Sequence, residues 1–345
     1  MTREGSVTED EAMAVAIQAS EAARGRTSPN PPVGAVVLDV DGAVVGVGST
    51  RPPGGPHAEI VALQRAGHKA RGGTAVVTLE PCNHTGRTGP CSRALIEAGI
   101  AKVVFAVADP NPLAEGGART LSDAGIIVEA GRSADAVASG PLRAWLHKQR
   151  TGRPHVTLKY AASLDGRSAA ADGTSKWITG PDARAHVHAQ RAALDAIIVG
   201  TGTVDADDPL LTARFPDGSD APHQPVRVVV GERVVRADAK VRNADAPTLF
   251  VRSRDPRAVL DALGEHTDVL VEGGPTVAGA FLAAGLVDRI VAYIAPVVLG
   301  AGSAAVENAG VGTISDAKRF SIESVETIGT DIVVSAVPVR TAEQE

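Results

Sequence analysis

The sequence predicts an α/β protein built from two domains. Three observations point there. The chain has 345 residues, about twice the roughly 100–200 residues of one domain. Segments with helical periodicity and capping signals alternate with short runs rich in Val and Ile along its whole length. Residues 133–140 are small, residues 143–153 are strongly basic, and Pro154 follows. This stretch separates the two alternating halves and sets the expected domains at residues 1–150 and 151–345.

In the first half, Thr8-Glu9-Asp10-Glu11 has the spacing of a capping box, and Met13, Val15, Ala16 and Ile17 continue it as an amphipathic helix to about Arg24. Apolar runs at 33–38 and 43–47 flank Asp41-Gly42, a hairpin signal. Pro56 suits a helix start and Gly67 a C-terminal cap, which predicts a helix over 57–66. The β-branched run at 74–79 reads as a strand. Ser92 is expected to cap a helix ending at Gly99, with a strand at 102–108 after it. The second half opens with a strand at 155–162, a turn at Asp165-Gly166 and a helix after Pro181. Strands are expected at 196–199, 226–230, 248–251, 269–271, 289–298 and 332–337, and a helix at 277–284.

Composition narrows the function classes. Lys+Arg 34 against Asp+Glu 40 gives a net charge of −6 in a chain that is 44% hydrophobic and 21% charged. That balance describes a folded soluble protein and argues against phosphate-backbone binding, so no nucleic-acid partner is expected. The longest apolar run, 290–299, contains a proline and has about half the ~20 residues needed to span a bilayer. It reads as a buried strand, and no membrane partner is expected. Glu4, Glu9, Asp10 and Glu11 near the start, with no apolar stretch behind them, predict no secretory signal and a cytoplasmic location.

Cys82 and Cys91 are the two cysteines of the chain. A reducing compartment disfavours a disulfide, and two thiols so close in sequence point toward a metal. His57-Ala58-Glu59 begins one expected helix, while Pro81-Cys82 and Pro90-Cys91 bound a loop that leads into another. His57, Cys82 and Cys91 make three zinc ligands, and three protein ligands with an open fourth position is the catalytic arrangement. Zinc lowers the pKa of a water in that position from about 15.7 to about 7. Glu59, two residues from the histidine, is placed to carry protons from the water to a leaving amine. Taken singly, each cysteine and the histidine would read as an ordinary core residue; their combination favours the metal. His-x-Glu with Pro-Cys-x-x-Cys is the signature of zinc nucleobase deaminases. Here eight residues, 83–90, separate the cysteines, so this loop is an insertion with contacts of its own, His84 being the candidate.

The motifs Ser28-Pro29-Asn30-Pro31-Pro32-Val33-Gly34-Ala35, His57-Ala58-Glu59, Leu79-Glu80-Pro81-Cys82 through Cys91 and Asp109-Pro110-Asn111-Pro112 resemble the bifunctional riboflavin-biosynthesis deaminase/reductase family of bacteria. The resemblance covers nearly the whole chain, including the long cysteine loop. It implies a cytidine-deaminase-like α/β/α domain followed by a dihydrofolate-reductase-like α/β domain. It further implies zinc-dependent deamination of 2,5-diamino-6-ribosylamino-4(3H)-pyrimidinone 5′-phosphate, one zinc per chain on His57, Cys82 and Cys91, and Glu59 as proton shuttle. Asn30, His84 and Asn111 would then hold the pyrimidine or its phosphate, although Asn30 and Asn111 also read as turn residues.

In the second half, Val199-Gly200-Thr201-Gly202-Thr203 looks like a dinucleotide turn but lacks the third glycine and a suitable acid about 20 residues on. Glu272-Gly273-Gly274-Pro275-Thr276, between a strand and a helix, is the better phosphate cradle. The segments 159–166, 175–179 and Ala206-Asp207-Asp208-Pro209 resemble the reductase part of the same family. That resemblance implies NADPH contacts at Ala162, Trp177, Thr203, Asp207 and the run Gly274, Pro275, Thr276, Val277, Ala278, Gly279 and Ala280. It implies substrate contacts at Ser175, Arg191, Leu211, Arg214 and Glu272. A ribose 5′-phosphate needs a cationic fork, which Arg191 and Arg214 would offer. Trp177 reads either as a flank of the nicotinamide or as core. His186 and His188, at i,i+2, face different sides of a helix and are read as surface residues. The expected chemistry is hydride transfer from NADPH to C1′ of the opened ribosyl group, with Lys159 polarising or protonating the sugar. The substrates are small phosphorylated pyrimidines, and a homo-oligomer, dimer or tetramer, is expected.

Overall fold

The computed structural model describes residues 5–84 and 89–339. The chain divides into two compact units, Met1–Gly152 and Arg153–Glu345.

The first unit begins with α1 (Glu9–Glu21), whose start is the expected capping box: Thr8 and Glu11 exchange side-chain and backbone hydrogen bonds. Its sheet is built from β1 (Gly34–Leu38), β2 (Val44–Ser49), β3 (Thr74–Leu79), β4 (Lys102–Val107) and β5 (Ile127–Ala130) in the order β2-β1-β3-β4-β5. β1 runs antiparallel to β2 and β3, and β3, β4 and β5 are parallel. Side chains alternate across a strand, and small residues show which helix covers which face. A Cβ on Gly34 would meet α1 at Ala16, while Cβ atoms on Gly46 and Gly48 would meet α2 (Ala58–Ala66) at Ala62 and Ala58. Gly46 and Gly48 pair with Val37 and Ala35, so α1 and α2 cover opposite faces of β1. This is an α/β/α sandwich, and β1 is buried along its whole length.

α3 (Cys91–Ala98) corrects one expectation. Cys91, not a residue after Ser92, opens the helix, and the Ser92 hydroxyl donates to Asn83 Oδ1 at 2.9 Å. α4 (Gly117–Asp123), α5 (Ala134–Ser139) and α6 (Arg143–Thr151) were not expected. The basic run is therefore a helix, closed by left-handed Gly152.

The second unit contains β6 (His155–Ser163), α7 (Pro181–Ala192), β7 (Ala196–Gly200), α8 (Thr201–Asp207), β8 (Val226–Val230), β9 (Thr248–Val251), α9 (Pro256–Asp261) and β10 (Asp268–Val271). α10 (Pro275–Ala283), β11 (Arg289–Ala295), β12 (Phe320–Ile328) and β13 (Asp331–Pro338) complete it. The sheet order is β12-β13-β11-β6-β10-β7-β8-β9, parallel from β11 to β9 with an antiparallel edge at β13 and β12. Ile198, Val269 and Val271 belong to one core, and Ile197, Val199 and Leu270 to another. The central strands are thus buried on both faces, which is why they read as unbroken apolar runs. The run at 290–299 departs from this: β11 stops at Ala295, and Val298 is 70% exposed. Pro296 has no N–H to extend the ladder. Among the described residues, no helix is long and apolar enough to cross a membrane.

Candidate active sites

His57 is the N-cap of α2, Cys82 follows β3, and Cys91 is the first residue of α3. The fold brings them together. His57 Nδ1 lies 3.5 Å from Cys82 Sγ and 3.4 Å from Cys91 Sγ, and all three ligand atoms lie within 4.8 Å of one another. Tetrahedral zinc with Zn–N near 2.0–2.1 Å and Zn–S near 2.3 Å sets nitrogen and sulfur roughly 3.6 Å apart, so the residues fit the ion. The Cys91 N–H donates to Cys82 Sγ at 3.4 Å. The Cys91 thiol and the His57 imidazole hold Cys82 far below the usual thiol range, at about 4, despite its burial. A thiolate is the form that binds metal. Glu59, in the first turn of α2, is 4% exposed, and burial with the neighbouring Cys82 pushes its carboxyl up to about 7.

These residues line a cavity of about 190 Å³ that Asn30, His84 and Asn111 also line. The middle of the cysteine loop, residues 85–88, lies outside the described residues. Asn111 is held from below: its N–H donates to Asp109 Oδ1 at 2.9 Å. Glu80 Oε1 accepts the Ala118 N–H at 2.9 Å and Glu80 Oε2 the Asp109 N–H at 3.3 Å. Burial raises the Asp109 carboxyl. Glu80, Asp109, Trp145 and Gln149 line the cavity without having been singled out from sequence. The first two sit inside the quoted motifs, so a signal existed. Trp145 and Gln149 come from unexpected α6, where an i,i+4 pair on one face only means something once the helix is known.

The second unit holds a cavity of about 1210 Å³ along the carboxyl ends of β6, β10, β7, β8 and β9, where open α/β sheets bind ligands. At its floor Arg191 Nε and Nη2 each donate to a Glu272 oxygen at 2.7 Å, and Lys159 Nζ lies 3.8 Å from Glu272 Oε2. Burial alone would raise the Glu272 carboxyl, but Arg191 and Lys159 outweigh it and hold it at about 2. Burial, with Arg191 beside it, lowers the Lys159 ammonium. At the cradle, the Gly274 N–H donates to Thr203 Oγ1 at 3.0 Å, and Cβ atoms on Gly200 or Gly273 would collide with Val277. Ser175 Oγ meets Asp207 Oδ1 at 3.3 Å. Trp177 is 70% exposed at the rim under the Arg184 guanidinium, which removes the core reading.

Lys159, Ser175, Trp177, Arg191, Thr203, Asp207, Leu211, Arg214 and Glu272 all line this cavity, as do Gly274, Pro275, Thr276, Val277 and Ala280. Ala162, Ala278 and Gly279 do not: they are buried in the packing behind it, and a Cβ on Gly279 would lie 1.6 Å from the Glu307 carbonyl oxygen. Two expectations change further. Arg191 is neutralised by Glu272, so it forms no free fork with Arg214. His186 and His188 are half-buried, not surface residues; His186 Nδ1 meets the Tyr293 hydroxyl at 3.0 Å, and His188 lines the cavity.

Residues 6–107 match the cytidine and deoxycytidylate deaminase zinc-binding region, and residues 154–334 match the RibD C-terminal domain. The chain is 58% identical over 328 residues to the riboflavin biosynthesis protein RibD of Mycobacterium tuberculosis, covering 95% of this chain and 97% of the relative. It belongs to the RibD family. RibD of Escherichia coli is 39% identical over 94% of this chain and 98% of its own. Acinetobacter baumannii RibD superposes with a TM-score of 0.86 at 38% identity, covering 96% of this chain and 99% of that one. A Thermotoga maritima structure, a diaminohydroxyphosphoribosylaminopyrimidine deaminase/5-amino-6-(5-phosphoribosylamino)uracil reductase, gives 0.87 at 33% identity with the same coverage. As a RibD protein the chain is an enzyme of riboflavin biosynthesis with a zinc-binding deaminase region and a reductase region.

Proposed function

We propose that the chain deaminates diaminohydroxyphosphoribosylaminopyrimidine in residues 1–150 and reduces 5-amino-6-(5-phosphoribosylamino)uracil in residues 151–345. The observation that carries this reading is the His57, Cys82, Cys91 triad with the carboxyl of Glu59 buried beside it.

Zinc on the three ligands supplies Lewis acidity to a water molecule. Glu59 takes the proton that the water loses as its oxygen adds to the amino-bearing ring carbon, then gives it to the departing nitrogen. Ammonia leaves and a ring carbonyl remains. Asn30, His84 and Asn111 orient the substrate from the other walls. In the reductase cavity NADPH, when bound, supplies the hydride that reduces C1′ of the opened sugar. Gly274, Pro275, Thr276 and Thr203 cradle its diphosphate, and Asp207 and Trp177 flank it. Lys159 donates a proton to the sugar, and Glu272, fixed by Arg191, holds Lys159 in place. The chain acts on these small phosphorylated molecules in the cytoplasm as a homo-oligomer.

The test is to incubate the purified chain with the diaminopyrimidine ribotide and NADPH, following ammonia release and NADPH absorbance together. Both signals are expected to change, with NADPH oxidation waiting on ammonia release. No change in either discards the reading.

A further inference from the structure

Lys159 carries an ammonium in a nearly dry place, and few groups hold it there. Its side chain is 17% exposed, and Glu272 Oε2 is 3.8 Å from Nζ, beyond hydrogen-bond length. Glu272 is also committed elsewhere, since each of its oxygens accepts from Arg191. The second group against the ammonium is the ring of Tyr293, whose centroid lies 5.6 Å from Nζ. That is within the roughly 6 Å over which an aromatic face attracts a cation. The ring is fixed. Tyr293 comes from β11, the neighbour of β6 in the sheet, is 1% exposed and packs with Ala183 and Val187 of α7. Its hydroxyl meets His186 Nδ1 at 3.0 Å, the partner that a buried phenol needs. Burial raises the Tyr293 phenol and lowers the His186 imidazole, so both stay neutral and the hydrogen bond persists near neutral pH. Tyr293 and Lys159 line the same reductase cavity.

We propose that Tyr293 is a positioning residue of the reductase: its ring face steadies the Lys159 ammonium, and the hydrogen bond to His186 fixes the ring. This rests on Lys159 acting as the proton donor, as proposed above. A lysine is a point charge on a flexible stem, and one carboxylate contact at 3.8 Å leaves that charge room to swing. The ring supplies a second contact without adding a charge. The groups that face Lys159 are Glu272 just after β10, Arg191 on α7 and Tyr293 on β11. Those that face Tyr293 are Glu272, Arg289 at the start of β11, Glu326 on β12 and His186 on α7. Burial and Arg191 disfavour the ammonium while Glu272 favours it, and the ring face acts in the same direction as Glu272. Without the ring, Lys159 gives up its proton at a lower pH and holds it in a less defined place.

The experiment follows NADPH oxidation with 5-amino-6-(5-phosphoribosylamino)uracil across pH in the full chain. It compares wild type, Tyr293→Phe, Tyr293→Leu and chains carrying phenylalanines of increasing ring fluorination at position 293. Fluorine draws charge out of the ring face and nearly keeps its shape, so this series reports on the contact even where Tyr293→Leu fails to fold. The Cε signals of isotope-labelled lysines, assigned with Lys159→Arg, follow the Lys159 ionisation in the same chains without substrate. A rate carried by a protonated donor falls as pH rises through its pKa. Tyr293→Leu is expected to move that alkaline limb and the Lys159 titration down by about 0.5–1 unit. It is also expected to lose about tenfold in kcat, with KM within about threefold of wild type. Tyr293→Phe is expected to keep both the limb and the titration close to wild type, and added fluorine to lower both stepwise. A limb and a Lys159 titration that ignore fluorination, or losses confined to KM and thermal stability, overturn the assignment and leave Tyr293 as core packing. Wild type that leaves NADPH unoxidised overturns the reductase reading itself, and this inference with it; an active wild type with an unmoved limb overturns this inference alone.

Discussion

Arg191 and Glu272, 81 positions apart in the sequence, meet through two parallel hydrogen bonds of 2.7 Å. The pair is nearly dry: the two side chains are 13% and 7% exposed. A buried carboxylate and guanidinium must satisfy each other, because neither keeps its hydration. The arrangement sets an arginine of the cavity wall against the carboxylate beside Lys159 and fixes it there. α7 and the end of β10 are tied together by the same contact.

Glu272→Gln removes the charge that Arg191 and Lys159 require and is expected to cost about 3–5 kcal/mol of stability at neutral pH. The sign of the pH dependence follows from the carboxyl being held at about 2 in the fold, below its ordinary value of 4.5. Its contribution is full above about 4.5 and is lost as pH falls from there toward about 2. Denaturant midpoints of wild type and variant, taken across this range, are expected to differ by a constant amount above it and to converge within it. A gap that does not narrow in acid contradicts the ion pair.

Replacing Glu59 with glutamine keeps the size of the side chain and removes its ability to exchange a proton. Metal analysis is expected to find one zinc per chain, while ammonia release falls by about 10²–10⁴-fold. Unchanged deamination would show that another group carries the proton.

Cys82→Ala removes one of three ligands that lie within 4.8 Å of one another. Zinc content is expected to drop to near zero and deamination with it. Because the reductase cavity is lined wholly by residues of Arg153–Glu345, its affinity for NADPH is expected to hold. Simultaneous loss of zinc and NADPH binding refutes independent sites.

Gly279→Ala separates packing from cofactor contact. The new Cβ would lie 1.6 Å from the Glu307 carbonyl oxygen and 2.7 Å from its carbon, so α10 must shift or the 307–308 backbone must give, at about 1–3 kcal/mol. A thermal melt is expected to show a lower Tm, and titration of the folded protein an NADP+ affinity within about threefold of wild type. A large affinity loss at unchanged Tm would return Gly279 to the cofactor site.

The sequence by itself determined the α/β alternation, the strands at β3, β8 and β9, the capping box of α1 and the zinc triad with Glu59. These depend on local periodicity, on caps, and on proline-flanked ligands whose chemistry leaves few alternatives. It did not determine α6, which brings Trp145 and Gln149 to the deaminase cavity, because its short apolar stripe, Leu142, Trp145 and Leu146, is set in a basic run next to a small-residue stretch and Pro154, which together read as a linker. Tertiary structure alone decided that Arg191 belongs to Glu272, that Gly279 serves packing against Glu307, that Trp177 stands at an exposed rim, and that His188 sets its Nδ1 against the Thr212 carbonyl in the cavity wall. Each of these turns on which residues from distant strands and helices become neighbours. A side chain's charge state and free hydrogen-bond capacity are properties of those neighbours, and sequence spacing does not encode them.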